Sequence, residues 1–168
     1  MREKPLTGSI GVGHTRWATH GRPTDEHAHP HTDHSGNLVV VHNVIIENYL
    51  PIKERLIAEG HVFKSETDTE VIAHLIERHL RDTPRLDEAT RRALRELRGS
   101  YAIVVLARST PERLVAAKHG AGSVVVGLGA GETYLASDIP ALLAHTRDMV
   151  ILEDEDIAVV TRHGVEVT

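Results

Sequence analysis

The sequence predicts an α+β fold with an antiparallel or mixed sheet, and three observations predict it. Three segments with apolar residues at helical spacing follow one another between residues 46 and 97. After them come short apolar runs separated by Gly, Pro, Asp and Ser, the pattern of successive β-hairpins. Helices grouped in one stretch and strands in another are the mark of an α+β chain. The 168 residues suit one domain, and 40% hydrophobic content is enough for a core.

Taken in order, residues 8–19 ("GSIGVGHTRWAT") read as strand mixed with loop, and residues 21–36 as a loop rich in Gly, Pro, Asp, His and Ser. "NLVVVH" (37–42) is a short apolar run, consistent with a buried strand. The first helix is expected over about 46–58, with Gly60 as its stop. The second is expected over about 69–81, where Val71, Ile72, Leu75, Ile76 and Leu80 share a face and Thr67 with Glu70 fit a capping box. The third covers about 87–97 and is closed by Gly99. Strands are then expected at 101–108, 113–119, 123–129 and 133–137, a short helix at 139–146, and two closing strands before a tail that can pair again. "GLGAGE" (127–132) follows a strand, but another strand comes after it, so it reads as a hairpin turn and not as a phosphate loop.

Composition excludes several functions. No apolar run approaches the roughly 18 residues of a membrane span. "MREKPLTGS" has no apolar core of a secretory signal, so a cytoplasmic location is expected. A net charge of −5 and a pI of about 6.2 favour no polyanionic partner. Aromatic content of 3% is too low for a base-stacking surface, so no nucleic-acid role is expected. There is no cysteine, which rules out disulfides and any thiolate chemistry within this chain.

The segment from Gly13 to Asn43 holds seven of the 13 histidines. His27, His29 and His31 alternate and would share one face of a strand, and neutral imidazoles are good ligands for zinc or copper. Pro30 lies among them, though, and no HExxH is present, so no metal site is assigned. Loop histidines bonded to backbone or solvent are the plainer reading. "RWATHG" clusters Arg16, Trp17, Thr19 and His20, and an arginine fork matches a carboxylate. "SETDTE" puts Asp68 at a helix start, either as a cap or as a carboxylate facing an ammonium group.

"GHTRWATHGRPTDEHAHPH", "VVVHNVIIENY", "GHVFKSETDTEVIAHLIE", "LRGSYAIVVL" and "YLASDIPALLAHT", in order and across essentially all of residues 1–168, resemble the class II glutamine amidotransferase domain of the glutamine–fructose-6-phosphate aminotransferase (glucosamine-6-phosphate synthase) type. The resemblance implies an N-terminal-nucleophile hydrolase fold, a four-layer αββα sandwich. It also implies release of ammonia from glutamine by a cysteine nucleophile, for use by a separate isomerase domain, with no cofactor. By the same resemblance Arg16 clamps the glutamine carboxylate, with Thr19 and His20 beside it. Trp17 gates the ammonia route, Asp68 holds the α-ammonium, and Asn43 supplies the side-chain half of the oxyanion hole. Each assignment makes chemical sense, since a zwitterion needs one cation and one anion and an oxyanion needs fixed donors.

Two departures stand out. The family's N-terminal segment, with its cysteine, is expected to be missing from this chain. Val44 stands where the family has the glycine whose N–H completes the oxyanion hole, and a β-branched residue resists positive φ. The chain alone is therefore expected to be inactive, and missing central strands would leave edges that favour a homodimer. A non-catalytic relative that binds an amino acid or a partner chain is the second reading. A histidine-dependent metal protein is the third.

Overall fold

The structure, a computed structural model, describes residues 7–15 and 24–168. A two-residue strand β1 (His31–Thr32) leads into β2 (Leu38–Ile46). Helices α1 (Tyr49–Ala58), α2 (Thr69–Leu80) and α3 (Leu86–Leu94) follow. The remainder is β3 (Gly99–Ala107), β4 (Leu114–His119), β5 (Val125–Leu128), β6 (Thr133–Ala136), β7 (Met149–Ile151), β8 (Ile157–Thr161) and β9 (Gly164–Val167). One sheet has six strands in the order β1-β2-β3-β4-β8-β9, and a second has three in the order β6-β5-β7. The paired strands run antiparallel in both.

Side-chain alternation along β3 explains the layering. Tyr101, Ile103, Val105 and Ala107 face the helices, where Val71, Ile72, Leu75 and Ile76 of α2 and Leu56 of α1 close the core. Ala102 and Val104 face the other way, onto Val126 of the second sheet and onto Val124 and Leu152, which flank its strands. A strand places successive side chains on opposite faces, so one strand serves both cores. The outer face of the small sheet is covered in turn by residues 139–146. A Cβ on Gly127 would lie 2.8 Å from the Thr146 methyl and 3.2 Å from Leu142, and Tyr134 stacks on His145 at 4.9 Å. This segment makes only a 3-10 turn, Ile139–Ala141, where a short helix was expected.

Four expectations need correcting. β2 runs on through His42 and Asn43 to Ile46, so α1 starts at Tyr49 and not at 46. The polar pair looks like a strand end, but β2 pairs with β3 along its whole length. Gly99 does not close α3. It opens β3 at φ 106, where a Cβ would sit 2.6 Å from the Ile45 carbonyl oxygen. Residues 8–15 form no strand, and the rest of that stretch lies outside the described residues. The capping box is also not formed, for reasons given below. The 127–132 turn does join the β5–β6 hairpin, with the Gly129 N–H donating to the Glu132 carbonyl.

Candidate active site

The start of α2 fastens the site. The Glu70 carboxylate accepts from the Lys64 N–H at 2.7 Å and the Ser65 N–H at 2.6 Å, and from the Ser65 hydroxyl at 2.6 Å. It therefore does not reach back to Thr67, as a capping box requires. Thr67 Oγ1 instead lies 3.0 Å from His31 Nε2, and Thr69 Oγ1 lies 3.0 Å from His42 Nδ1. The two threonine hydroxyls of "SETDTE" are thus spent on the histidine loop and on β2. Burial alone would raise the Glu70 carboxyl, but His74, Ser65 and the two backbone donors hold it down to about 2.

Asp68 is 3% exposed and stands at the helix start without a side-chain cap bond. Its Oδ2 accepts the Ile46 N–H at 2.8 Å. The carboxylate therefore braces the end of β2 against α2. His42, four residues earlier, is buried on the same side, and burial pushes its imidazole down to about 4 despite the nearby Asp68 charge. Its neutral ring can accept from or donate to Thr69 without a counter-ion.

Asn43 and Val44 sit on the opposite side of β2. Asn43 lines a cleft of about 130 Å³ between the two sheets, with His14, Val104, Ser123, Leu135 and Ser137. Val44 has φ 91, the left-handed conformation that favours glycine. The chain thus keeps a glycine-like backbone with a valine in it. The inversion also turns the Val44 side chain out of the helix-facing row. Its Cγ2 would lie 2.9 Å from a Cβ on Gly122, whose neighbour in turn is Ala102. The Val44 N–H donates to Asn43 Oδ1 at 3.1 Å, so the backbone donor is tied to the amide oxygen of its neighbour.

The other histidines of the loop are structural partners. His27 Nδ1 is 2.6 Å from the Thr24 hydroxyl, and His29 Nδ1 accepts the His42 N–H at 3.2 Å. His14 stacks on His29 at 4.4 Å, beside the bond from the His42 backbone N–H to His29. Among the sequence-predicted residues, the structure places Asn43 at the cleft, with the Val44 N–H bonded to its side chain. Asp68 acts on the same strand from its other face and does not line the cleft. Arg16, Trp17, Thr19 and His20 lie outside the described residues. Ser123, Ser137 and His14 were not singled out in sequence. They are small or polar residues in turns, and nothing in their spacing marks them.

The family profile described as a glutamine amidotransferase domain matches residues 14–144. The glutamine–fructose-6-phosphate aminotransferase (isomerizing) of Pyrococcus horikoshii is 55% identical over 94% of this chain and 26% of its own length. The enzyme of that name from Thermus thermophilus is 56% identical over 98% of this chain, again 26% of its own length. This chain spans about a quarter of the curated relatives it matches. Among solved structures, the glutamine phosphoribosylpyrophosphate amidotransferase from B. subtilis, complexed with ADP and GMP, superposes with TM-score 0.76 at 24% identity, over 92% of this chain and 33% of that one. A glutamine aminotransferase class-II domain protein from Silicibacter pomeroyi gives 0.64 at 18% identity, over 86% and 71%. These two likenesses establish the fold, that of the N-terminal-nucleophile amidotransferases. The profile match and the two close relatives establish more: the chain belongs to the glutamine amidotransferase domain family.

Proposed function

We propose that this chain is the glutamine-handling part of an enzyme of the glutamine–fructose-6-phosphate aminotransferase type. Such an enzyme frees ammonia from glutamine and passes it to an isomerase domain that forms glucosamine 6-phosphate, in the cytoplasm. The observation that carries the reading is the Asn43–Val44 step: Asn43 lines a cleft, and the next backbone N–H, that of Val44 at φ 91, lies against its amide side chain. Fixed donors of this kind are what a tetrahedral oxyanion requires. In this reading Asp68 holds the α-ammonium and Arg16 the carboxylate, with Thr19 and His20 beside it and Trp17 on the ammonia route. With no cysteine of its own, the chain supplies no thiolate and does not hydrolyse glutamine unaided.

The second reading, a non-catalytic amino-acid binder, draws on the valine itself, whose side chain occupies space that glycine would leave open. Calorimetry tests both readings. Glutamate and glutamine should bind at millimolar concentration. Asp68→Asn, which keeps an oxygen for the Ile46 N–H and removes the charge, should weaken binding at least tenfold without loss of fold. No heat up to tens of millimolar ligand removes the amino-acid pocket. Glutaminase turnover that survives repurification and disappears in Arg16→Ala contradicts the inactivity.

A further inference from the structure

A second group of ionisable side chains is buried away from the cleft. His61 follows α1, and His74 and Glu77 project from α2; His61 is 3% exposed and His74 is fully buried. His61 Nδ1 lies 2.9 Å from His74 Nδ1 and 3.2 Å from Glu77 Oε2, and His74 Nδ1 lies 3.9 Å from that same oxygen. Two imidazole nitrogens facing each other at this distance need a proton or a cation between them, because two lone pairs repel. A tetrahedral ion with bonds of about 2.05 Å has ligand–ligand edges of about 3.3 Å. The three edges observed straddle that value. From this geometry we infer that His61, His74 and Glu77 form a binding site for a divalent transition-metal ion of the zinc class, which would pin the loop after α1 to α2.

The surroundings are arranged for it. His74 Nε2 is buried without a hydrogen-bond partner and points at Glu70 Oε1, 3.5 Å away. A carboxylate behind a histidine keeps the proton on the far nitrogen and the lone pair on the near one. Phe63 stacks on the His74 ring at 4.1 Å and sets its plane. Glu77 is oriented beforehand, taking the His34 N–H on Oε2 at 3.1 Å and the Ser35 N–H on Oε1 at 3.2 Å. Three protein ligands leave one coordination position for water.

Arg81 opposes the ion. Its guanidinium nitrogen is 3.4 Å from His61 Nε2, and a guanidinium only donates, so it favours the tautomer with the proton on Nδ1. Ion binding moves that proton from Nδ1 to Nε2, and Arg81 gives up the contact. The two neutral rings release no proton in the exchange.

The test is a titration of the whole chain with Co²⁺ and Zn²⁺ at pH 7.5. One equivalent of Co²⁺ should give a visible ligand-field band that Zn²⁺ abolishes, and excess Zn²⁺ should raise the melting temperature. His61→Gln, in a loop and tolerable to the fold, should weaken binding at least tenfold, and Glu77→Gln should do the same. Arg81→Leu should tighten it several-fold, an effect a merely structural arginine would not produce. His27→Gln, at the other histidine cluster, should change nothing. Three results overturn the proposal: no band with folded protein at 100 equivalents of Co²⁺, affinity unchanged in His61→Gln, or affinity lost in His27→Gln.

Discussion

The two faces of the six-stranded sheet are packed by different rules. On the helix side, large branched residues such as Ile46, Ile103, Val105 and Val115 meet Ile72, Leu75 and Ile76. On the other side, Ala102, Ala116 and Ala158 meet Val124, Val126 and Leu152. Bulk on one face closes a dry core. Small side chains on the other let a second sheet approach and leave the cleft beside Asn43 open. The lesson is a division of labour within single strands: even the alternation of β3 separates the residues that hold the fold from those that shape the site.

Truncation should separate the faces most strongly. Ile103→Ala, fully buried under the helices, should cost about 3–4 kcal/mol, as buried isoleucine-to-alanine changes do. Val126→Ala, fully buried between the sheets, removes less and should cost about 2 kcal/mol. Urea melts measure both, and equal costs would show that the core between the sheets is the tighter one for each carbon removed.

Acid should weaken the helix side first. The folded His42 pKa, pushed down by burial to about 4, lies below its usual 6.5, so between these values the unfolded chain binds more protons than the folded one. Stability contributed by neutral His42 is present above pH 6.5 and is lost as pH falls towards 4. The loss is on the order of a few kcal/mol. Glu70 extends the trend: its contribution holds above its ordinary carboxylate range and is lost as pH falls towards about 2. His42→Gln should lower stability at pH 7.5 and flatten its decline between pH 6.5 and 4.5. An unchanged slope would move the acid response to other groups.

The smallest effect belongs to the site. Val44→Gly relieves a left-handed backbone that costs about 1–3 kcal/mol for such a residue. It also gives up packing and frees the unfolded chain by about 0.5–1 kcal/mol. A net gain of up to about 1 kcal/mol should appear in urea melts. A loss larger than that would mean that neighbouring contacts already favour the valine conformation.

Much of this organisation was legible in the sequence. The three helices and the order of strands followed from spacing and turn residues, and the tail "HGVEVT" does pair again, as β9 against β8. What was not legible depends on long-range partners. His42 and Asn43 look like the end of a strand until β3 lies beside them. Thr67 and Glu70 have the spacing of a cap, but buried histidines and the Lys64–Ser65 backbone claim their atoms. Asp68 reads as a helix cap by position, yet it binds the end of a strand 22 residues earlier. The convergence of His61, His74 and Glu77 is equally invisible, because it needs the α1–α2 connection to fold back on α2.

In the proposed reading, the bond between the Val44 N–H and Asn43 Oδ1 makes this step of β2 a place of exchange. An arriving oxygen can take this N–H only by displacing the asparagine oxygen that already holds it. For a neutral carbonyl the trade is near even, one ordinary hydrogen bond for another. An anionic oxygen forms a bond of about 1.5–3 kcal/mol against about 0.5–1.5 for a neutral one. The internal competitor cancels the neutral bond and leaves the anionic one a surplus. On that reading the Val44 N–H rewards negative charge as it develops and gives little to the neutral group before it.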